Sequence, residues 1–339
     1  MLTFSFSRKF SISITNSALL LLVTMILTSC GNDALVAPKN DIQFLPRLSE
    51  YGIFRGTANT LTPTARFVEY SLPAALFSDY SEKQRLIALP AGTSLEATQL
   101  DGTNDDLPNF PDRTMLVKTF FYYLDKRAPE RGKRIIETRL LVKNGAAWNV
   151  ATYRWNAEQT DADLITSGFD TSVEWIDGRG TPRTTSYHIP NTRECATCHQ
   201  SNGTIHPIGP KLRNLNMTVT RNGAAVNQLQ YLRAQGMVAE INLLRIGSVP
   251  HPTDASVPVQ ERARAYLDIN CSHCHNASGY AGNQGLFLKY ATPLHETGLA
   301  ENKANILARM QNASMPLLGT TLRDEDGIAL LTAYFNSLP

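Results

Sequence analysis

"TMLVKTFFYYL" (114–124) decides the fold of the N-terminal half of this chain. Val117, Thr119, Phe120, Phe121, Tyr122 and Tyr123 are β-branched or aromatic, the residue types that suit a pleated strand. "RIIETRLLV" (134–142) and "WNVATYRW" (148–155) have the same character. In "ETRLLV" the polar Glu137 and Arg139 alternate with Thr138 and Leu140, the period-two pattern of a strand with two unlike faces. Turn signals separate these runs: "LPAGT", "LDGTND", "APERGK", "KNGAA" and "IDGRG". Closely spaced strands with no long helix between them predict an antiparallel β-sandwich over residues 44–185.

Helical periodicity takes over downstream. "NQLQYLRAQGMV" (227–238) sets Leu229 and Leu232 in helical register, with Gly236 as a stop. "VPVQERARAYLDIN" (257–270) opens at Pro258 and repeats Val259, Ala263, Tyr266 and Leu267. "RDEDGIALLTAYFNSL" (323–338) places acids at a helix start, then Ile328, Leu331, Tyr334, Phe335 and Leu338 on one side. The expected fold is therefore β + α and multidomain, with a mainly α-helical region of two units, 186–255 and 256–339, after the sandwich.

The N-terminus reads as an export signal over residues 1–29. Arg8 and Lys9 precede the apolar "ALLLLVTMIL" (18–27), which is shorter than the roughly 20 residues a bilayer span requires. Leu27-Thr28-Ser29-Cys30 resembles a lipobox, which implies that Cys30 becomes the acylated first residue, tethered through the polar linker 30–43. Gly31 carries no inner-membrane retention signal by the same analogy, so attachment to the outer membrane facing the periplasm is expected. The whole chain carries 32 basic and 30 acidic residues. Removing the signal takes away Arg8 and Lys9 and balances the charge, which excludes the basic footprint of a nucleic-acid binder.

There are five cysteines. Apart from Cys30, all lie in two copies of one arrangement, "CATCH" (195–199) and "CSHCH" (271–275). Two thiols separated by two residues can form thioethers with the two vinyl groups of a haem, and the following histidine becomes an iron ligand. The expectation is two covalently attached haem c groups, on Cys195, Cys198 and His199 and on Cys271, Cys274 and His275. Zinc is the competing reading, since two C-x-x-C pairs also form a four-thiolate set. The gap from Cys198 to Cys271 far exceeds zinc-ribbon spacing, and zinc gives no reason for the repeated histidine. A redox dithiol lacks a thioredoxin-like context.

A methionine opposite the histidine raises haem potential. Met315, in "ASMPLLG", lies 40 residues after His275, and Met310 is its rival. Met237 lies 38 residues after His199; Met217, His206, His188 or an open position are alternatives.

Most of 44–339 resembles a family of bacterial diheme c-type cytochrome lipoproteins. The resemblance rests on "YSLPAALFSDYSEKQRLIALPAGT", "LVKTFFYYL", "ETRLLV", "YRWN", "IPNTRECATCHQ" and "YLDINCSHCHN". Residues 257–339 are similar to class I cytochrome c, which implies ligation by the Met-Pro methionine, Met315. "IGPKL" (208–212) resembles the segment supporting the proximal histidine in such proteins, whereas "SYHIPNTRE" before Cys195 is not the long helix they carry. The resemblance implies a membrane-anchored, non-catalytic electron carrier with a redox partner protein. A diheme peroxidase with one open haem is the alternative. A third reading makes Tyr122, Tyr123, Trp148 and Trp155 an aromatic binding surface for carbohydrate or protein, although strand aromatics more often face a core. Asp105 and Asp106 read as solvated turn residues.

Overall fold

A computed structural model describes residues 42–98 and 106–338. The chain divides into two units, 1–35 and 36–339. The first unit, on which the expected export signal and Cys30 fall, lies outside the described residues, as does Asp105.

Six strands form one antiparallel sheet in sequence order: β1 (Val68–Glu69), β2 (Glu82–Ala88), β3 (Met115–Tyr123), β4 (Lys133–Asn144), β5 (Ala147–Trp155) and β6 (Ala162–Ile165). Asn144 pairs with Ala147 across a two-residue turn whose Gly145 sits at φ +59°, a conformation that side chains disfavour. One face presents Leu86, Val117, Leu140 and Ala151 to a core completed by Leu48, Ile53 and Phe67. The opposite face presents Ile87, Leu116, Leu141 and Val150 to Ala196, Ile205, Leu212 and Leu229. Cover on both faces explains why β3 is buried almost throughout rather than at alternate residues; Lys118 is one exception.

Leu140 is 0 % exposed at the centre of this sheet. Leu140→Ala is expected to destabilise the chain by about 2–5 kcal/mol, measured by urea unfolding. A loss under about 1 kcal/mol would contradict a filled core there.

Two expectations are corrected. The N-terminal half is not a two-sheet sandwich. A single hairpin, β7 (Phe169–Ile176) and β8 (Pro182–Ile189), lies over one end of the sheet, bringing Val173, Trp175, Tyr187 and Ile189 onto Phe120 and Tyr122. The six strands form a sequential meander, and the rest of the opposing layer comes from turns, 3₁₀ segments and helices.

Nor is the remainder a mainly α-helical, cytochrome c-like region. The described residues hold six α-helices, none longer than 13 residues. Residues 186–255 carry α1 (Thr192–His199), α2 (Leu212–Leu215) and α3 (Gln228–Ala234), interleaved with hairpins β9 (Gln200–Ser201)/β10 (Thr204–Ile205) and β11 (Thr218–Arg221)/β12 (Ala224–Asn227). The last hairpin turns on Asn222 and Gly223, at φ +51° and +78°. Asn-Gly between two short runs is a strong hairpin signal, and it overrides the helical reading of this stretch. α3 ends before Gly236, at φ +71°, as the sequence implies.

Further on stand α4 (Val259–Asn270), α5 (Leu299–Gln311) and α6 (Glu325–Ser337). They share a core of Ala263, Leu267, Met310, Leu331, Tyr334 and Phe335. Asp324 caps α6 by accepting from Gly327 N at 2.9 Å, and its other oxygen takes the Tyr266 hydroxyl of α4 at 2.8 Å.

Candidate functional site

The first motif sits on α1, which leaves hairpin strand β8 through a capping box. Asn191 Oδ1 accepts from Arg193 N and Glu194 N at 2.9 and 3.0 Å, and Glu194 Oε2 accepts from Asn191 N at 2.7 Å. Cys195 and Cys198, three residues apart, share a helix face, and His199 is the last helical residue. Burial pushes the Cys195 thiol up to about 11. His199 Nδ1 lies 2.8 Å from the His206 carbonyl, and His206 N donates back to the His199 carbonyl at 2.8 Å. A carbonyl only accepts, so Nδ1 carries the proton and Nε2 keeps its lone pair. Burial lowers His199 to about 4, which keeps the imidazole neutral.

The second motif begins where α4 ends, with Cys271 as its C-cap. Cys274 N and His275 N both donate to the Cys271 carbonyl, at 3.2 and 2.9 Å, so the motif winds through a tight turn. Burial pushes the Cys271 thiol up to about 12. The His275 carbonyl accepts from Leu288 N at 2.9 Å, and its Nδ1 is buried with no hydrogen-bond partner among the described residues. Burial lowers His275 as well.

Folding brings these distant motifs together. Cys198 Sγ, Cys274 Sγ and a ring nitrogen of His273 lie within 4.8 Å of one another. Cys274 Sγ approaches the Thr197 carbonyl at 3.5 Å, and Ser201 Oγ and Ser278 Oγ bond at 2.7 Å just beyond each motif. The hydrogen bond between the two sulfurs holds the Cys198 thiol below its ordinary value and pushes the Cys274 thiol above it. A cavity of about 640 Å³ opens alongside, lined by Cys198, His199, His206, Trp148, Lys211 and His273 among others.

Two ties position the second motif. Asn270 Oδ1 accepts from Phe77 N at 2.7 Å, holding the end of α4 to the segment before β2. Asp268, buried on α4, faces Lys211 Nζ at 3.0 Å and Arg213 Nη2 at 3.1 Å, and accepts from Tyr290 N at 3.0 Å. No sequence pattern announced Asp268; only the approach of α2 to α4 makes it the junction of the segments that carry the two motifs.

The methionines fall in different settings. Met237 is buried beyond α3 in the core that holds Leu232, Val238 and Ala196 of α1, and its carbonyl accepts from Leu95 N at 2.8 Å. Met315 is half-buried after α5, with its N–H on the Arg309 carbonyl at 3.2 Å. The loop it opens is pinned where buried Asp79 accepts from Thr321 N and Leu322 N at 2.7 and 2.8 Å. Met310 packs in the core of α4, α5 and α6, and Met217 is half-buried with its carbonyl on Gln228 N at 2.8 Å. His188 is engaged at both nitrogens, by Asp170 at 2.6 Å and Glu194 at 3.1 Å. His206 Nε2 meets Thr204 Oγ1 at 2.7 Å.

Tyr122, Trp148 and Trp155 are buried core rather than an exposed aromatic surface. Among the described residues no helix is long and apolar enough to cross a membrane. No family model, curated protein or solved structure matches this chain.

Proposed function

We propose that this chain is a diheme c-type cytochrome, anchored through Cys30 to the outer membrane and exchanging electrons in the periplasm with a redox partner protein. The observation that carries the reading is the geometry of the first motif, where Cys195 and Cys198 share a helix face and the His206 carbonyl holds His199 Nδ1 at 2.8 Å.

The donor set fits attachment at the first motif. Two thiols lie on one helix face. His199 offers Nε2 because the His206 carbonyl takes Nδ1–H at 2.8 Å, the outer-shell bond that orients an iron-ligating imidazole. The adjoining cavity of about 640 Å³ lies in the usual range of cofactor sites. At the second motif Cys271 and Cys274 supply the thiols and His275 the ligand, although His275 Nδ1 has no acceptor. Met315 and Met237 are the proposed ligands on the opposite sides. When bound, haem supplies iron that cycles between ferric and ferrous. The chain supplies burial, orientation and charge around it.

Reduced and oxidised spectra of residues 31–339, expressed where haem attachment is available, test the proposal. Two low-spin haems per chain are expected, and a chain without haem would contradict it.

The Cys198–His273–Cys274 cluster favours one second reading, a soft divalent metal such as zinc held by two thiolates and an imidazole. Zinc analysis of the same preparation separates the two.

A further inference from the structure

The sheet face that receives α1 carries an arrangement that strand physics disfavours. Arg85 of β2 stands directly opposite Lys118 of β3, and Lys118 directly opposite Arg139 of β4. Three cations thus line up across three adjacent strands, where like charges repel. Lys83 occupies the next row of the same face, opposite Phe120. The Phe120 ring is approached by Lys83 Nζ at 6.0 Å, Lys118 Nζ at 4.8 Å and Arg139 Cζ at 4.5 Å from its centroid.

One acid shares this face of β2–β4. Glu137 is 0 % exposed and already engaged, accepting from Arg139 Nε at 2.8 Å and Arg139 Nη2 at 2.5 Å as a two-point pair, and from the Tyr187 hydroxyl at 2.8 Å. Lys83 Nζ donates to the Ser81 carbonyl at 2.6 Å. Arg85 Nη2 is buried with no hydrogen-bond partner among the described residues. Desolvated cations beside like charges are strongly unfavourable unless an anion joins them. Burial first, and then the neighbouring cations, lower Lys83 to about 7 and Lys118 well below the usual lysine range, against the opposing pull of Glu82, Asp79 and Glu137.

The next row along this face, Ile87, Leu116 and Leu141, packs in one core with Ala196 of the first motif.

We propose that Arg85, Lys118, Arg139 and Lys83 form a carboxylate-binding site for the propionates of the haem attached at Cys195 and Cys198, an inference that rests on the haem reading. Haem brings two carboxylates to a place with four cations and one acid. A planar guanidinium suits a carboxylate, and Arg85 Nη2 is a buried donor with no partner among the described residues. A small free oxyanion shares this chemistry, and the test separates the two sources.

The experiment is a spectroelectrochemical titration of the full holoprotein and of the variants Lys118→Gln and Arg85→Gln, with Arg113→Gln as an exposed control. Haem content is read first. A wild type without haem removes both the cytochrome reading and this inference. With two haems retained, each variant should lower the midpoint of one haem. The expected shift is about tenfold in the reduced-to-oxidised ratio at fixed potential, or about 59 mV for one electron. The sign follows because a cation near the iron favours the ferrous form. Arg113→Gln should leave both midpoints in place, and Arg85→Lys should restore most of the shift. If Lys118→Gln fails to accumulate, Arg85→Gln carries the same prediction. Unchanged midpoints in both variants would overturn the propionate site while leaving the cytochrome standing. A wild-type midpoint that moves with added sodium acetate, and no longer does so in Arg85→Gln, would assign the site to a free anion instead and also overturn it.

Discussion

A chain carrying Cys195→Ser and Cys198→Ser is expected to hold one covalent haem in place of two, halving the haem absorbance per polypeptide. The pair Cys271→Ser and Cys274→Ser should remove the other. On the haem reading each motif would attach its own group through its own thiols, so either loss should be all-or-none and exceed any effect on stability. His273→Ala adds the sharper contrast, because His273 fills a variable position of the haem motif yet completes the cluster with Cys198 and Cys274. The cytochrome keeps both haems in His273→Ala. A metal site bridging the motifs would lose its ligand there, and would lose the metal in either cysteine pair as well. Denaturing gels stained for haem, read beside zinc analysis, separate these outcomes.

The second large effect is expected at Asp268. Its carboxylate lies between Lys211 and Arg213, at 3.0 and 3.1 Å, while sitting one turn before Cys271 on α4. Asp268→Asn keeps the size of the side chain and removes the charge that both buried cations face. Breaking a buried pair in this way costs about 3–5 kcal/mol. Burial alone would raise the Asp268 pKa, but Lys211 and Arg213 outweigh it and hold the carboxyl below its usual value. A depressed carboxyl contributes stability that is fully present above its unfolded pKa of about 3.9 and is lost as pH falls through the folded value. Urea unfolding should therefore place wild type well above Asp268→Asn at pH 7, with the gap closing below about pH 4. A gap independent of pH would assign the effect to packing rather than to charge.

Much of this architecture is legible in the residues. The β3, β4 and β5 runs form the strands their composition implies, because β-branched and aromatic side chains pack on both faces of one sheet. The helices at 259–270 and 325–337 fall where the periodicity, Pro258 and the acids before Ile328 put them. The sandwich was not legible, since strand composition says nothing about whether strands join one sheet or two. The mainly helical expectation for 186–255 passed over a local signal, Asn222-Gly223, which turns a hairpin just before the helix that the 227–238 spacing implies. α5 escaped notice because "LAENKANILARMQ" buries only Leu299 and Met310 fully, a weak apolar stripe.

For the site, the six residues of the two motifs can be named from spacing alone, but their meeting cannot. That Cys198 faces Cys274 follows from how α1 and the turn after α4 pack, a long-range fact with no local trace. The cation row is hidden for a related reason. Lys118 alone looks like one polar residue in a strand, and only the register that sets it between Arg85 and Arg139 reveals a row of cations.

Intact mass under denaturing conditions tests the central claim most directly. The account predicts a polypeptide heavier by two haems, with both groups retained after unfolding and reduction. A polypeptide at its unmodified mass after expression with the haem-attachment machinery, carrying zinc before it is unfolded, would contradict the account and pass both motifs to the metal reading.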